Sequence, residues 1–326
     1  MEMKEKRERE GWVDAARGTA IILVVLGHVI HIVEREFSVA LPGPDVLDRV
    51  LYSFHVPVFF FLSGMFFAGA GSGRSGLSLL GQRAKRLLYP YLVWSLLQTT
   101  VDVVSRPGWR EQLAPQLLQI LYFPQAHFWF LYVLFFCGAI GIALRGILVS
   151  ERRTVWAMLG LSLVWYAVHP LLPGGPIKDI GVYLPYFSVG YLWSEFGRGK
   201  VGSRRDLAGV IAVCGLFVCS VLPAVANNSE TDVWLRLPIG LLGVAAVCSV
   251  SYVVCLSYKI PLLRYIGRYS LSIYLIHVLA IHALFMFVHD ISAPLAIVAA
   301  MVVGIGLPLA FREICSRLRV GRLFGV

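Results

Sequence analysis

The chain has 326 residues, 58% hydrophobic and 15% charged, with 29 Lys and Arg against 19 Asp and Glu and a formal net charge of +10. A mean hydropathy of +0.74 excludes a soluble domain of this size, which must cover itself with more polar surface. Several apolar runs reach the roughly 20 residues that a helix needs to cross a bilayer's hydrocarbon core. The expected fold class is all-α, a polytopic membrane bundle of about ten transmembrane helices with both termini cytoplasmic. Residues 1–326 read as a single membrane-embedded domain with short basic tails at 1–12 and 312–326.

The opening stretch MEMKEKRERE is too charged for a secretory leader and holds no small-residue cleavage site, so the first span is expected to stay in the mature chain. Ten spans are expected at about 13–33, 47–70, 87–105, 127–149, 154–171, 178–196, 207–226, 234–256, 269–289 and 294–311. With the N-terminus inside, six basic residues fall outside (Arg35, Arg49, Arg106, Arg110, Lys178, Arg236). Arg17 lies within the first span, and the remaining 22 of the 29 face the cytoplasm. The positive-inside rule thus accounts for the net charge, and no nucleic-acid partner is expected.

The six cysteines form no CxxC pair, which argues against a disulfide framework or structural zinc and for small apolar filler. Residues 106–126 read as partly helical and interfacial, with Trp109 and Tyr122 suited to the headgroup zone. Pro57, Pro90, Pro185, Pro238 and Pro308 lie in or near spans, where they bend helices whose freed carbonyls neighbours satisfy.

The first span carries the sequence DAARGTAIILVVLGHVIH from Asp14 to His31. Eleven helical steps return His28 to within about 20° of Arg17, and Asp14 and His31 share that side. Such a polar stripe costs about 2.5–3.5 kcal/mol per charge in lipid, so it should face the bundle interior or a wet cavity. Simpler roles are open: a snorkelling ion pair for Asp14 and Arg17, a hydrogen-bonded core histidine for His28. Arg17 and His28 stand about 16 Å apart along the axis. They cannot touch one small group, but they suit the two ends of a long ligand. Asp14 is about 21 Å from His28 along the helix, so any group orienting that imidazole must come from another helix.

Counting depth from the cytoplasmic end, His55 of the second span and Tyr132 of the fourth lie near the level of His28 and are the candidates to meet it. A packed histidine and a belt tyrosine are the alternatives, and Pro57 and Gly64 read as shaping the second helix. Arg83, Lys85 and Arg86 sit at the inner edge of the third span, either as topology anchors or as a phosphate grip, since guanidinium forks match phosphate oxygens. In the ninth span Ser270, Tyr274 and His277 share a face, with His277 on the inner half, and fit a hydrogen-bonded packing cluster equally well. The aromatic run at 183–196 reads as packing and belt, with Glu195 at the inner interface.

Six segments in order resemble the integral-membrane acyltransferase family 3, which includes bacterial O-acetyltransferases of cell-surface sugars. They are DAARGTAIILVVLGHV (14–29), FHVPVFFFLSGMFF (54–67), QRAKRLLYPYLVW (82–94), HFWFLYVLFF (127–136), YLPYFSVGYLW (183–193) and IGRYSLSIYLIH (266–277). The resemblance implies a ten-helix bundle around a cavity in the inner or plasma membrane. It also implies a cytoplasmic acyl-coenzyme A co-substrate, commonly acetyl, and a carbohydrate or lipid-linked glycan acceptor. It maps the family's arginine–ten residues–histidine motif onto Arg17 and His28, and its paired-arginine motif onto Arg83 and Arg86. No metal is implied. On that mapping Arg83 and Arg86, helped by Arg17, hold the phosphates. His28 takes the acceptor's proton, and an acyl-enzyme relay through His28 or Tyr132 stays open. The alternative is a secondary transporter of a sugar or acylated precursor. It expects an internal repeat and helices broken at midplane, neither of which the sequence displays.

Overall fold

The computed structural model describes residues 2–38, 44–67, 75–104, 108–197, 207–226, 232–288 and 291–326, with side chains described from Gly11 onward in the first helix. Among these residues the chain is helical throughout, without strands. The basic stretches at 71–74 and 198–205 and Arg106 lie outside the described residues. Among the described residues five helices are long and apolar enough to cross a membrane (Gly11–Phe37, Ala126–Leu148, Glu151–Leu171, Val233–Ser257, Ala293–Arg317), and the sharply bent pair Pro261–Arg268 and Ser270–Phe285 passes that test only when taken as one. Arg49–Met65 and Leu207–Pro223 are shorter apolar helices. This is a multi-pass membrane protein.

The helices divide between two compact units, residues 1–59 with 201–318 and residues 60–200 with 319–326. The first unit is built around α1 (Glu2–Phe37). Packed on it are α10 (Val233–Ser257), α11 (Pro261–Arg268), α12 (Ser270–Phe285) and α13 (Ala293–Arg317). α9 (Leu207–Ala226) leans on α10, and most of α2 (Pro44–Met65) belongs here too. The sequence explains the central place of α1. Apart from its polar stripe its face is Ala, Val and Ile, and Ala15, Ala16, Ala20, Ile21, Val25, Val29 and Val33 are wholly buried.

Between apolar helices lipid offers no hydrophobic drive, so association rests on close packing through small residues. α1 and α11 touch this way. A Cβ on Gly267 would collide with the backbone oxygen of Asp14, and one on Gly18 with that of Leu263.

α11 and α12 meet at 81°, a break with no proline at Tyr269 to announce it. Pro261 opens α11 at its first turn, where its missing N–H is no loss. Ile266 and Gly267 are buried while Leu262 is 69% exposed. Eight residues rise only about 12 Å. α11 is therefore too short to be half of a span, and its one-sided burial fits a helix lying in the interface.

The second unit holds the last turns of α2 with α3 (Gly76–Arg83), α4 (Tyr89–Val104), α5 (Trp109–Gln119), α6 (Trp129–Leu148), α7 (Glu151–Val168) and α8 (Pro176–Phe196). Its α5 supplies the helical part expected of 106–126. The end of α2 and α8 use the same small-residue device reciprocally. A Cβ on Gly64 would strike the backbone oxygen of Phe187, and one on Gly190 that of Phe61. Gly64 thus serves helix approach more than helix shape. The C-terminal residues belong to this unit through the short α14 (Gly321–Phe324). Tyr89 Oη donates to the Leu323 oxygen and Trp94 Nε1 to that of Phe324, each at 2.8 Å.

All six cysteines are free thiols. Only Cys137 and Cys315 are fully buried and Cys219 is exposed, so the filler role holds for part of the set.

Candidate active site

In the first unit, α1, α2 and α12 bring histidines together. The His28 ring lies 5.0 Å from that of His277, tilted by 57°. His55, His31 and His282 are near enough to interact electrostatically with His28. Tyr52 of α2 lies 4.8 Å from the His55 ring and 6.3 Å from the His31 ring. It also packs at Gly27, beside His28. Tyr274 stands 6.3 Å from His277 on α12.

Helix geometry fixes the tautomers of several rings. Inside a helix the carbonyl one turn back accepts only from an N–H. His277 Nδ1 therefore carries hydrogen and donates to the Ile273 and Tyr274 oxygens at 3.0 and 2.8 Å. His55 Nδ1 donates likewise to the Leu51 oxygen, and His282 Nδ1 to that of Val278 at 3.0 Å. In the neutral rings Nε2 then holds the lone pair. His277 is completely buried and His55 is 3% exposed, whereas His28 keeps partial access. The cluster thus combines two buried rings held by backbone, His277 and His55, with three partly accessible ones, His28, His31 and His282. Among the described residues no three His, Cys, Asp or Glu groups are arranged to hold a metal ion.

Of the residues singled out in the sequence, His28 and His55 meet in this cluster. Arg17 lies on the same helix and is likewise partly accessible. The Asp14 carboxylate pairs with Arg268 of α11 at 3.6 Å, which ties the α1–α11 contact near the close approach of Gly267. His277, which the sequence places in a packing cluster with Ser270 and Tyr274, lies beside His28. Depth counted from the cytoplasmic end of each span carries no register from one helix to the next.

In the second unit Tyr132 sits 5.5 Å from Tyr91 and 4.9 Å from Phe136, ring to ring. Arg83 and Arg86 part company. Residues Ala84–Leu88 form a π turn, whose wider winding rotates successive side chains less per residue than an α turn, a feature frequent at functional sites. Arg86 is exposed. Arg83 turns inward, 5.4 Å from the Phe67 ring centroid and 5.8 Å from that of Phe187, with its Nε buried beside Gly138.

Arg145, one of the basic residues expected on the cytoplasmic side, shares Phe67 at 4.7 Å. It grips Glu151 through two contacts of 2.8 and 3.1 Å, and Tyr191 Oη donates to the same carboxylate.

A family model described as "Acyltransferase domain" matches residues 10–313. The chain belongs to this acyltransferase family. Its match takes in the histidine cluster and the Arg83–Arg145 group alike. Similar curated proteins include the nodulation protein NolL of Mesorhizobium japonicum, 25% identical over 216 residues, 63% of this chain and 54% of the relative. NolL of Sinorhizobium fredii is 34% identical over 93 residues, 28% of this chain and 25% of the relative. The chain thus spans about half the length of the longer-matching relative. No solved structure matches it.

Proposed function

We propose that the protein moves an acyl group, in the first instance acetyl, from cytoplasmic acyl-coenzyme A to a hydroxyl of a sugar or lipid-linked glycan precursor at the cell membrane. Family membership supports the reaction class. The single observation that carries the reading is the position of His28: an accessible imidazole on α1, backed by the buried His277, eleven residues from Arg17 on the same helix.

In this scheme the pantetheine arm lies along α1, with phosphate toward Arg17 and the thioester toward His28, ends that helix geometry sets about 16 Å apart. The neutral His28 ring takes the proton of the acceptor hydroxyl as that oxygen attacks the thioester carbonyl. The C–O bond forms, the C–S bond breaks, and the thiolate leaves and recovers a proton. A base so placed supplies about 10²–10⁴-fold in rate. Tyr52, against both His31 and His55, closes one side of the cluster. In the second unit, Arg86 is exposed and suits a phosphate contact, whereas Arg83 is held among aromatic rings.

The test is acyl transfer by the purified full chain, with acetyl-coenzyme A and a panel of sugars, scored by free thiol release and by acetylated product. Transfer is expected, and Arg17→Gln should raise the apparent Kd for acetyl-coenzyme A at least tenfold. A protein that neither binds nor turns over acyl-coenzyme A would refute the assignment and favour transport.

A further inference from the structure

The second unit contains a polar pocket of about 170 Å³ that the reading above does not use. Gln98, Thr99 and Asp102 of α4 line it, with Gln116 of α5, and Gln125 and Phe128 from the segment before α6. It lies at the end of α4 remote from Arg86. Gln98 is 7% exposed, and its Oε1 is buried with no hydrogen-bond partner within the protein. An unmet buried acceptor is destabilising, and a ligand donor would satisfy it. Gln125 is already oriented, since its Nε2 donates to the Phe123 oxygen at 3.2 Å.

The lining chemistry narrows the ligand. Three amides and a hydroxyl both donate and accept, and Asp102 accepts, while among the described residues no lysine or arginine lines the pocket. Such a set repels free phosphate or carboxylate and matches vicinal hydroxyls, each of which donates and accepts at once. Phe128, wholly buried, gives an apolar wall for the C–H face of a ring. The volume is below the roughly 300–1,000 Å³ of sites for drug-sized ligands and suits a single ring.

We propose that this pocket is a binding subsite for one neutral monosaccharide unit, with Gln98 and Asp102 as its principal hydroxyl contacts. The proposal rests on the glycan-acceptor reading for its biological sense, but its test does not depend on catalysis.

The full-length protein is placed in nanodiscs, since maltoside detergents carry sugar heads of their own. Saturation-transfer NMR is then run with methyl glucoside, methyl galactoside and methyl mannoside, and with glycerol and inorganic phosphate as controls. At least one glycoside is expected to bind, with Gln98→Leu and Asp102→Asn each weakening it tenfold or more and leaving acetyl-coenzyme A binding unchanged. Binding of none of the three glycosides, a preference for phosphate, or glycoside binding that both variants retain would overturn the proposal. The milder Gln98→Glu, which keeps the shape and adds a charge, separates lost contacts from lost folding and should weaken binding as well. Sugar binding without acyl transfer would leave the subsite standing and sink the acyltransferase reading. Transfer without binding here would do the reverse.

Discussion

His28 on α1 and His277 on α12 stand ring to ring at 5.0 Å, and the second of them is locked. Nδ1 of His277 spends its hydrogen on the Ile273 and Tyr274 oxygens. The ring therefore cannot turn without giving up two backbone contacts. On the proposed reading of His28 as the base, His277 acts as a positioning residue through this ring contact.

His277→Ala is accordingly expected to lower kcat about 10–100-fold with little change in KM for acyl-coenzyme A, by analogy with outer partners of other oriented imidazoles. His277→Asn, whose amide can donate to the same carbonyls, should recover part of the loss. Steady-state kinetics on the two variants separates this from simple packing, for which Asn would be no better than Ala.

Arg83 and Arg86 should fail differently. Arg83 covers aromatic surface with its guanidinium, so Arg83→Ala loses packing as well as charge and is expected to lower Tm by several degrees. Arg86 is exposed, so Arg86→Ala should leave Tm within about a degree and weaken acyl-coenzyme A binding several-fold. Thermal unfolding and calorimetric titration of both variants in one detergent decide the point.

The contact of α1 with α11 leaves no room for a side chain. Gly267→Ala would drive a methyl into the backbone oxygen of Asp14, which cannot swing aside as a side-chain tip could. Overpacking of this kind costs about 1–3 kcal/mol or more. A lower melting temperature is expected for Gly267→Ala, and none for Gly209→Ala on α9, where a Cβ meets nothing within 4 Å.

Much of this was legible in the sequence. The apolar runs gave the helices, and the spacing of Arg17 and His28 gave a polar stripe on one face of α1. The family resemblance joined segments that were individually weak. Contacts between helices were harder to read. Depth counting reached His55 but not His277, because register between helices is set by pairs such as Gly267 with Asp14, far apart in the chain. The separation of Arg83 from Arg86 arises in a π turn that no breaker residue announces. The bend at Tyr269 has no proline at the break itself, and the tie between Arg145, Glu151 and Tyr191 joins residues that pattern alone assigns to unrelated roles.

The most direct measurement is single-turnover transfer from acetyl-coenzyme A by wild type and by His28→Ala, with donor affinity measured on the same preparations. The account predicts unchanged donor affinity and a rate lower by about 10²–10⁴-fold. A His28→Ala protein that transfers acetyl at the wild-type rate would contradict it.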